Sequence, residues 1–260
     1  MTIEAITFDF GNTLVPVAGP GLRGVVAATA DAMAVQLGPF DREAVLHAWA
    51  EERERQFREE VPEFREVDLG QRIVRVLARL RGMAAPLPDA RWDHAAAARL
   101  STPTEVDWAI EVYSRAFVDA LPPRPAVREL LARLAAGYRL GILSNWPLAA
   151  TIDRYAEAAG WMPYLAAITV SQRVGVIKPH PAIFAAARAA LGGPAPERIL
   201  HVGDDWVADV VGGKAAGWRV AYLVARPADS PLPSSERDDG VAPDVELASL
   251  DDLERALGTL

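Results

Sequence analysis

The chain has no cysteine, so a disulfide framework and a thiolate metal site are both excluded, and redox chemistry gives no clue to its compartment. Lysine is nearly absent: only Lys178 and Lys214 stand among 27 basic residues, the rest being arginine. Positive charge is outweighed by 35 acidic residues, giving a net charge of −8. The dense positive surface that holds nucleic acid or an anionic membrane is therefore missing, and neither is expected as a partner. No apolar run reaches the roughly 18 residues of a membrane span, and the chain enters a strand-like run without a basic, apolar signal segment. A cytoplasmic protein acting on a small molecule is the expectation. An apolar helix face could pair with a second subunit or pack within one chain, so oligomeric state is not legible.

What is present suits a soluble globular protein. With 260 residues, 51% hydrophobic and 24% charged, the chain can bury a large core in one or two domains. Its organisation changes twice. Short apolar runs end at Ile3 to Phe8, and helical periodicity follows from about Leu22 to about Leu121. Leu69, Ile73, Val76 and Leu80 share one helix face, Glu51 to Glu60 reads as a solvated charged stretch, and Thr102-Pro103-Thr104-Glu105 has capping-box spacing. From Pro122 strands and helices alternate: strand-like runs end at Ser144, Val170, Gly203, Val224 and Leu247, with helices between them. That alternation predicts a doubly wound α/β core at 1–15 and 122–260 around an all-helical insert of four or five helices at 16–121. Arg226 to Pro243, rich in Pro, Ser, Asp and Gly, reads as a surface connection.

Strands buried on both faces would bring the polar residues at their carboxyl ends to one crevice. Those residues are Asp9 after the first run, Ser144 and Asn145 after Gly141-Ile142-Leu143, and Asp204 after Ile199 to Gly203. Asp204, Asp205 and Asp209 put three carboxylates within six positions, a set of hard oxygen donors suited to Mg2+, although acidic residues also cap helix starts. Lys178 lies between Ile177 and Pro179, where a compact ammonium would sit on a stiff loop. His47, His94 and His201 lack metal-ligand spacing and read as structural; His180 adjoins Lys178.

Taken in order, Asp9 to Leu14, Ser144-Asn145, Lys178-Pro179 and Gly203-Asp204 to Asp209 resemble the four motifs of the haloacid dehalogenase superfamily, in the subgroup with a helical cap inserted after the first motif. The resemblance runs from about Ile3 to Leu257. It implies a Rossmann-like core, an aspartyl-phosphate intermediate on Asp9, and Mg2+ held by Asp9, the Gly11 carbonyl and Asp204, with Asp209 in support. It further implies phosphoryl contacts from Ser144, Asn145 and Thr13, charge neutralisation by Lys178, and a phosphorylated small-molecule substrate chosen by the cap.

One departure stands out. Phosphatases of the family carry a second aspartate two residues after the nucleophile, as acid and base; here that position is Gly11. A positioned acid/base contributes about 10² to 10⁴ in rate, so a weak or narrow phosphatase is expected. The phosphonate-cleaving branch needs a cap lysine, and none lies between Val15 and Leu121. The dehalogenating branch usually has tyrosine at the Gly11 position and no metal-type aspartate at Asp204; it stays an alternative, with Arg23 as a carboxylate anchor. A binding protein built on an impaired site is the third reading.

Overall fold

Runs rich in Ile, Leu, Val and Ala, buried on both faces, pair side by side in parallel. The strands of this computed structural model, which describes residues 2–238 and 240–260, are β1 (Ala5–Phe8), β2 (Arg139–Ser144), β3 (Leu165–Val170), β4 (Ile199–Gly203), β5 (Arg219–Leu223) and β6 (Val245–Leu247). They form one parallel sheet in the order β3-β2-β1-β4-β5-β6. The chain leaves β1 towards one edge and later returns to its other side at β4. A sheet wound this way opens a crevice beyond the carboxyl ends of β1 and β4.

Register sets what enters that crevice. Phe8 is level with Ile142 of β2 and Val202 of β4, so Asp9, the end of β2 and Asp204 emerge together. The alternation expected from the sequence is the one observed. β3 ends at Val170 as expected, and a short helix directly after it, at Ser171–Val174, was not anticipated.

Among the described residues five α-helices follow β1 in the segment before Pro122: α1 (Gly19–Gln36), α2 (Arg42–Glu60), α3 (Leu69–Leu80), α4 (His94–Ala98) and α5 (Pro103–Ala120). The Thr102 hydroxyl accepts from Glu105 N while the Glu105 carboxylate accepts from Thr102 N, completing the capping box at α5. The sheet is flanked by α6 (Pro125–Leu134), α7 (Ala149–Ala158), α8 (Ser171–Val174), α9 (Pro181–Ala190), a π-helical turn (Trp206–Val211), α10 (Gly212–Ala215) and α11 (Leu253–Leu257).

Glu51 to Glu60 is only partly the solvated stretch its charges suggest. Glu52 is fully buried, accepting from Trp92 Nε1 at 2.9 Å and Arg79 at 3.1 Å, while Arg55 donates to the Pro86 carbonyl at 2.7 Å. Burial of these charges is tolerable because each is paired or hydrogen-bonded.

An aromatic cluster joins the helical segment to the sheet. Phe10 packs 5.1 Å from Trp146, 5.3 Å from Tyr155 and 6.1 Å from Phe117, linking the chain just past β1 to α5 and α7. Because the ring is fully buried, Phe10→Ala is expected to cost about 3–5 kcal/mol in urea unfolding. A cost below about 1 kcal/mol would show that the cluster does not hold the two parts together.

Candidate active site

A cavity of about 460 Å3 opens over the carboxyl ends of β1 and β4. Asp9, Gly11, Asn145, Lys178, Asp204 and Asp209 line it, so six of the nine residues singled out in the sequence converge. Ser144 and Thr13 are fully buried just behind that surface, and the Ser144 hydroxyl has no hydrogen-bond partner among the described residues. A buried donor left open in this way is suited to a ligand oxygen.

Lys178 organises the centre. Its ammonium donates to Asp9 Oδ1 at 2.8 Å, Asp209 Oδ1 at 2.6 Å and the Leu143 carbonyl at 2.9 Å, which uses all three of its protons. Burial opposes its charge, but Asp209 and Asp9 outweigh that and hold it above the usual lysine range. Asn145 fixes the same residue from behind: its side chain accepts from Lys178 N at 2.6 Å and donates to Lys178 O at 3.0 Å. The asparagine expected to bind substrate therefore has its amide engaged in positioning the lysine.

Asp209 is engaged as well. Oδ1 also meets His201 Nε2 at 2.8 Å, and Oδ2 accepts from Asp205 N at 2.9 Å. Thr7 holds the other ring nitrogen of His201, Nδ1, at 2.8 Å. Burial would raise the Asp209 carboxyl, yet Lys178 and His201 bring it below the usual range. Asp209, expected among the metal's ligands, stands instead as the counter-ion of Lys178. His201 is the structural histidine expected, with the added task of orienting Asp209.

Asp9 and Asp204 are under the opposite pressure. Burial, and then repulsion from Asp209, raise Asp9 despite Lys178. Burial, Asp9 and Asp209 push Asp204 up to about 8, against the pull of Arg226 and Lys178. Among the described residues no group of three or more His, Cys, Asp or Glu side chains is arranged to hold a metal ion. Two buried carboxylates with an excess of negative charge, together with the backbone carbonyl of Gly11, do fit a hard divalent cation that keeps waters in its shell. Asp204 Oδ2 already accepts from Arg226 at 2.9 Å, and Thr13 reaches Oδ1 at 3.4 Å.

The loop after β5 overturns its reading as a surface connection. Arg226 and Pro231 to Ser235 line the cavity. Ser230 bonds the Asn12 side chain at 3.0 Å, Ser235 bonds Asp205 through its hydroxyl at 2.7 Å and its N–H at 2.8 Å, and Arg226 also donates to the carbonyls of Leu232 and Pro233. The strap so fixed lays Leu232 over Gly11: a Cβ added at Gly11 would stand 2.6 Å from Leu232 Cδ1 and 3.0 Å from Trp146. The space a second aspartate would use is thus filled. Serines and prolines in sequence advertise a turn, not what the turn covers.

The opposite wall comes from the helical segment and was not singled out: Leu22, Phe57, Phe64, Glu66, Arg72 and Tyr113. Arg53 faces the cavity, whereas Arg55 and Trp49 pack inside the helices. Arg23 is exposed on α1 and outside the cavity wall, so it does not serve as the expected anchor. His180 N-caps α9 and stands 6.0 Å from Phe64, also outside.

Residues 3–217 match the family model for haloacid dehalogenase-like hydrolases, and the chain belongs to that family. It is 31% identical over 147 residues to pyrimidine 5'-nucleotidase YjjG of Escherichia coli, an alignment covering 56% of this chain and 62% of that one. It is also 31% identical over 137 residues to a glyceraldehyde 3-phosphate phosphatase of Pyrococcus abyssi, covering 48% and 53% respectively. The chain thus spans about half to three fifths of these curated relatives. Among solved structures, a 2-haloacid dehalogenase from Pseudomonas syringae superposes with a TM-score of 0.67 at 25% identity over 99% of both chains.

The raised Asp204 has a measurable consequence. The folded protein keeps a proton there that the unfolded chain sheds near pH 4, so this group favours the fold at low pH and loses that contribution as pH rises from about 4 to about 8. In metal-free buffer Asp204→Asn is expected to raise the unfolding temperature at pH 8 more than at pH 5. Equal shifts at both pH values would show that Asp204 is not under this strain.

Proposed function

We propose that this protein is a Mg2+-dependent phosphatase of small phosphorylated molecules, with helices α1–α5 (residues 16–121) as a cap domain over the Rossmann-like core at 1–15 and 122–260. The observation that carries the reading is the buried Lys178–Asp9 pair at 2.8 Å beside Asp204, at the base of the cavity. Relatives named for phosphorylated substrates support it.

Asp9 attacks phosphorus, the bond to the leaving oxygen breaks, and the phosphoryl group passes to the carboxylate before water hydrolyses it. Lys178 neutralises charge between the phosphoryl group and Asp9, while Ser144 and Thr13 donate hydrogen bonds to the transferred oxygens. Mg2+, held by Asp9, Asp204 and the Gly11 carbonyl, would draw negative charge off the phosphoryl group. No residue at Gly11 protonates the leaving oxygen or activates water. Aryl and acyl phosphates, whose leaving groups depart without a proton, are the favoured substrates, and the phosphoenzyme outlasts its formation.

A second reading has its own support. Arg226 sits on Asp204, where it can take over part of a metal's charge, and the Pseudomonas syringae neighbour is a 2-haloacid dehalogenase. In that chemistry Asp9 would displace halide from carbon, and water would hydrolyse the resulting ester.

The deciding assay is turnover of p-nitrophenyl phosphate with and without Mg2+. Metal-dependent hydrolysis is expected, reduced at least about 10³-fold in Asp9→Asn. Because Leu232 fills the space over Gly11, Gly11→Asp alone should add little, and Gly11→Asp with Leu232→Ala should raise the rate about 10-fold or more. No turnover in any variant, with chloride release from 2-chloropropionate in metal-free buffer, would replace the phosphatase reading by the dehalogenase one.

A further inference from the structure

Three arginines are buried among the described residues: Arg55, Arg72 and Arg75. Arg55 is satisfied by backbone carbonyls and by Glu52 at 3.6 Å, and Arg75, although its Nε has no partner among the described residues, has its charge met by Glu59 at 3.5 Å and its other terminal nitrogen by His94 at 3.2 Å. Arg72 differs. It is 5% exposed, yet among the described residues no carboxylate oxygen lies within 4.0 Å of it, and its one hydrogen bond runs from Nε to Gln56 Oε1 at 2.9 Å. Its two terminal nitrogens have no partner, and it lines the cavity that contains Asp9.

That isolation is built. Gln56, itself fully buried, is locked by donating to the Asp68 carbonyl at 2.8 Å, and the guanidinium lies 5.7 Å from the Trp49 ring. Two more unsatisfied donors line the same cavity. Arg53 is half-buried 4.7 Å over the Phe57 ring with no ion pair, and the buried Tyr113 hydroxyl has no partner among the described residues. Burial brings Arg72 down to about 10; Tyr113 and the Glu66 carboxylate, beyond ion-pair contact, offset this only in part while Arg53 and Arg75 add repulsion, and burial pushes Tyr113 up to about 12. An unpaired buried cation costs stability, and here its free edge faces the ligand space.

We propose that Arg72, with Arg53 and Tyr113, forms an anion subsite that receives a carboxylate of the substrate while another group of the same molecule reacts at Asp9. The substrate class is then a phosphorylated organic acid whose middle is apolar or aromatic. This deepens the phosphatase reading, and rests on it only for the reacting group. A carboxylate is favoured because its two oxygens match the fixed planar fork that the terminal nitrogens of Arg72 present, and its single charge supplies the contact ion pair that Glu66, in the same wall, does not make. Phe57, Phe64 and Trp146 supply the apolar lining, and about 460 Å3 suits one small molecule.

Binding of phenylacetate and of its neutral analogue phenylacetamide, followed by calorimetry in metal-free buffer, tests this without requiring turnover. The carboxylate is expected to bind at least about tenfold more tightly than the amide, the preference falling below about twofold in Arg72→Met while amide binding holds. Equal binding of the two in the parent protein, or a preference that survives Arg72→Met, would overturn the proposal. Should Arg72→Met not fold, Arg53→Gln decides on a half-exposed side chain: the preference must fall at least about threefold. Hydrolysis of 4-carboxyphenyl phosphate against phenyl phosphate is scored separately. If neither ester is cleaved, the phosphatase reading fails while the binding comparison still judges the subsite.

Discussion

The buried ammonium of Lys178 is the interaction on which the site depends. Asp9, Asp204 and Asp209 crowd into one low-dielectric crevice, and three carboxylates there would repel one another and shed their charge by taking up protons. Lys178 offsets this by joining Asp9 to Asp209, and the remaining contacts serve that junction: Asn145 clamps its backbone, His201 steadies Asp209, and Thr7 steadies His201. Asp9 thereby keeps one oxygen bound to Lys178 and presents its carboxylate to the cavity. Asp204, farther from the ammonium's direct reach, takes its relief from Arg226.

Arg226 makes the strap between β5 and β6 part of the site. The same guanidinium that meets Asp204 holds the carbonyls of Leu232 and Pro233, so the charge of the crevice organises the loop that covers it. Leu232 then rests on Gly11. Loss of the second aspartate and the presence of the leucine are two sides of one packing arrangement: a residue larger than glycine would have to displace Leu232, and a charged one would lie under an apolar side chain.

Much of this was legible in the sequence, and the reasons for the rest are physical. Asp9, Ser144 and Asp204 could be found because each follows a short apolar run, and the period and placement of such runs are local properties. The same holds for α5, whose capping box is written in four consecutive residues. What escaped depends on tertiary neighbours. Glu52 and Arg55 read as solvated because charge usually is, and only the folded chain shows the Trp92, Arg79 and Pro86 partners that pull them inside. Arg226 and Leu232 sit in a Pro- and Ser-rich stretch whose composition marks a turn without saying what the turn lies against. Asp209 was placed correctly near the metal-type carboxylates, but its commitment to Lys178 is a matter of side-chain direction that spacing does not encode.

The unmatched charges have a common logic. Beyond β1 and β4 the crevice holds more negative charge than its cations relieve, while the helices opposite contribute Arg72 and Arg53, neither of them in a contact ion pair among the described residues. Neither defect is relieved by the other, since no ion pair joins Arg72 or Arg53 to the carboxylates of the crevice among the described residues. Each destabilises the empty protein and is relieved by something that enters: a cation beside Asp9 and Asp204, an anion beside Arg72. Stability given up at a site in this way is the ordinary counterpart of pre-organisation, because groups already desolvated and fixed lose little more when the ligand arrives. The cleft is thus complementary to a bound state rather than to itself, and a ligand that satisfies both walls at once would relieve both defects together.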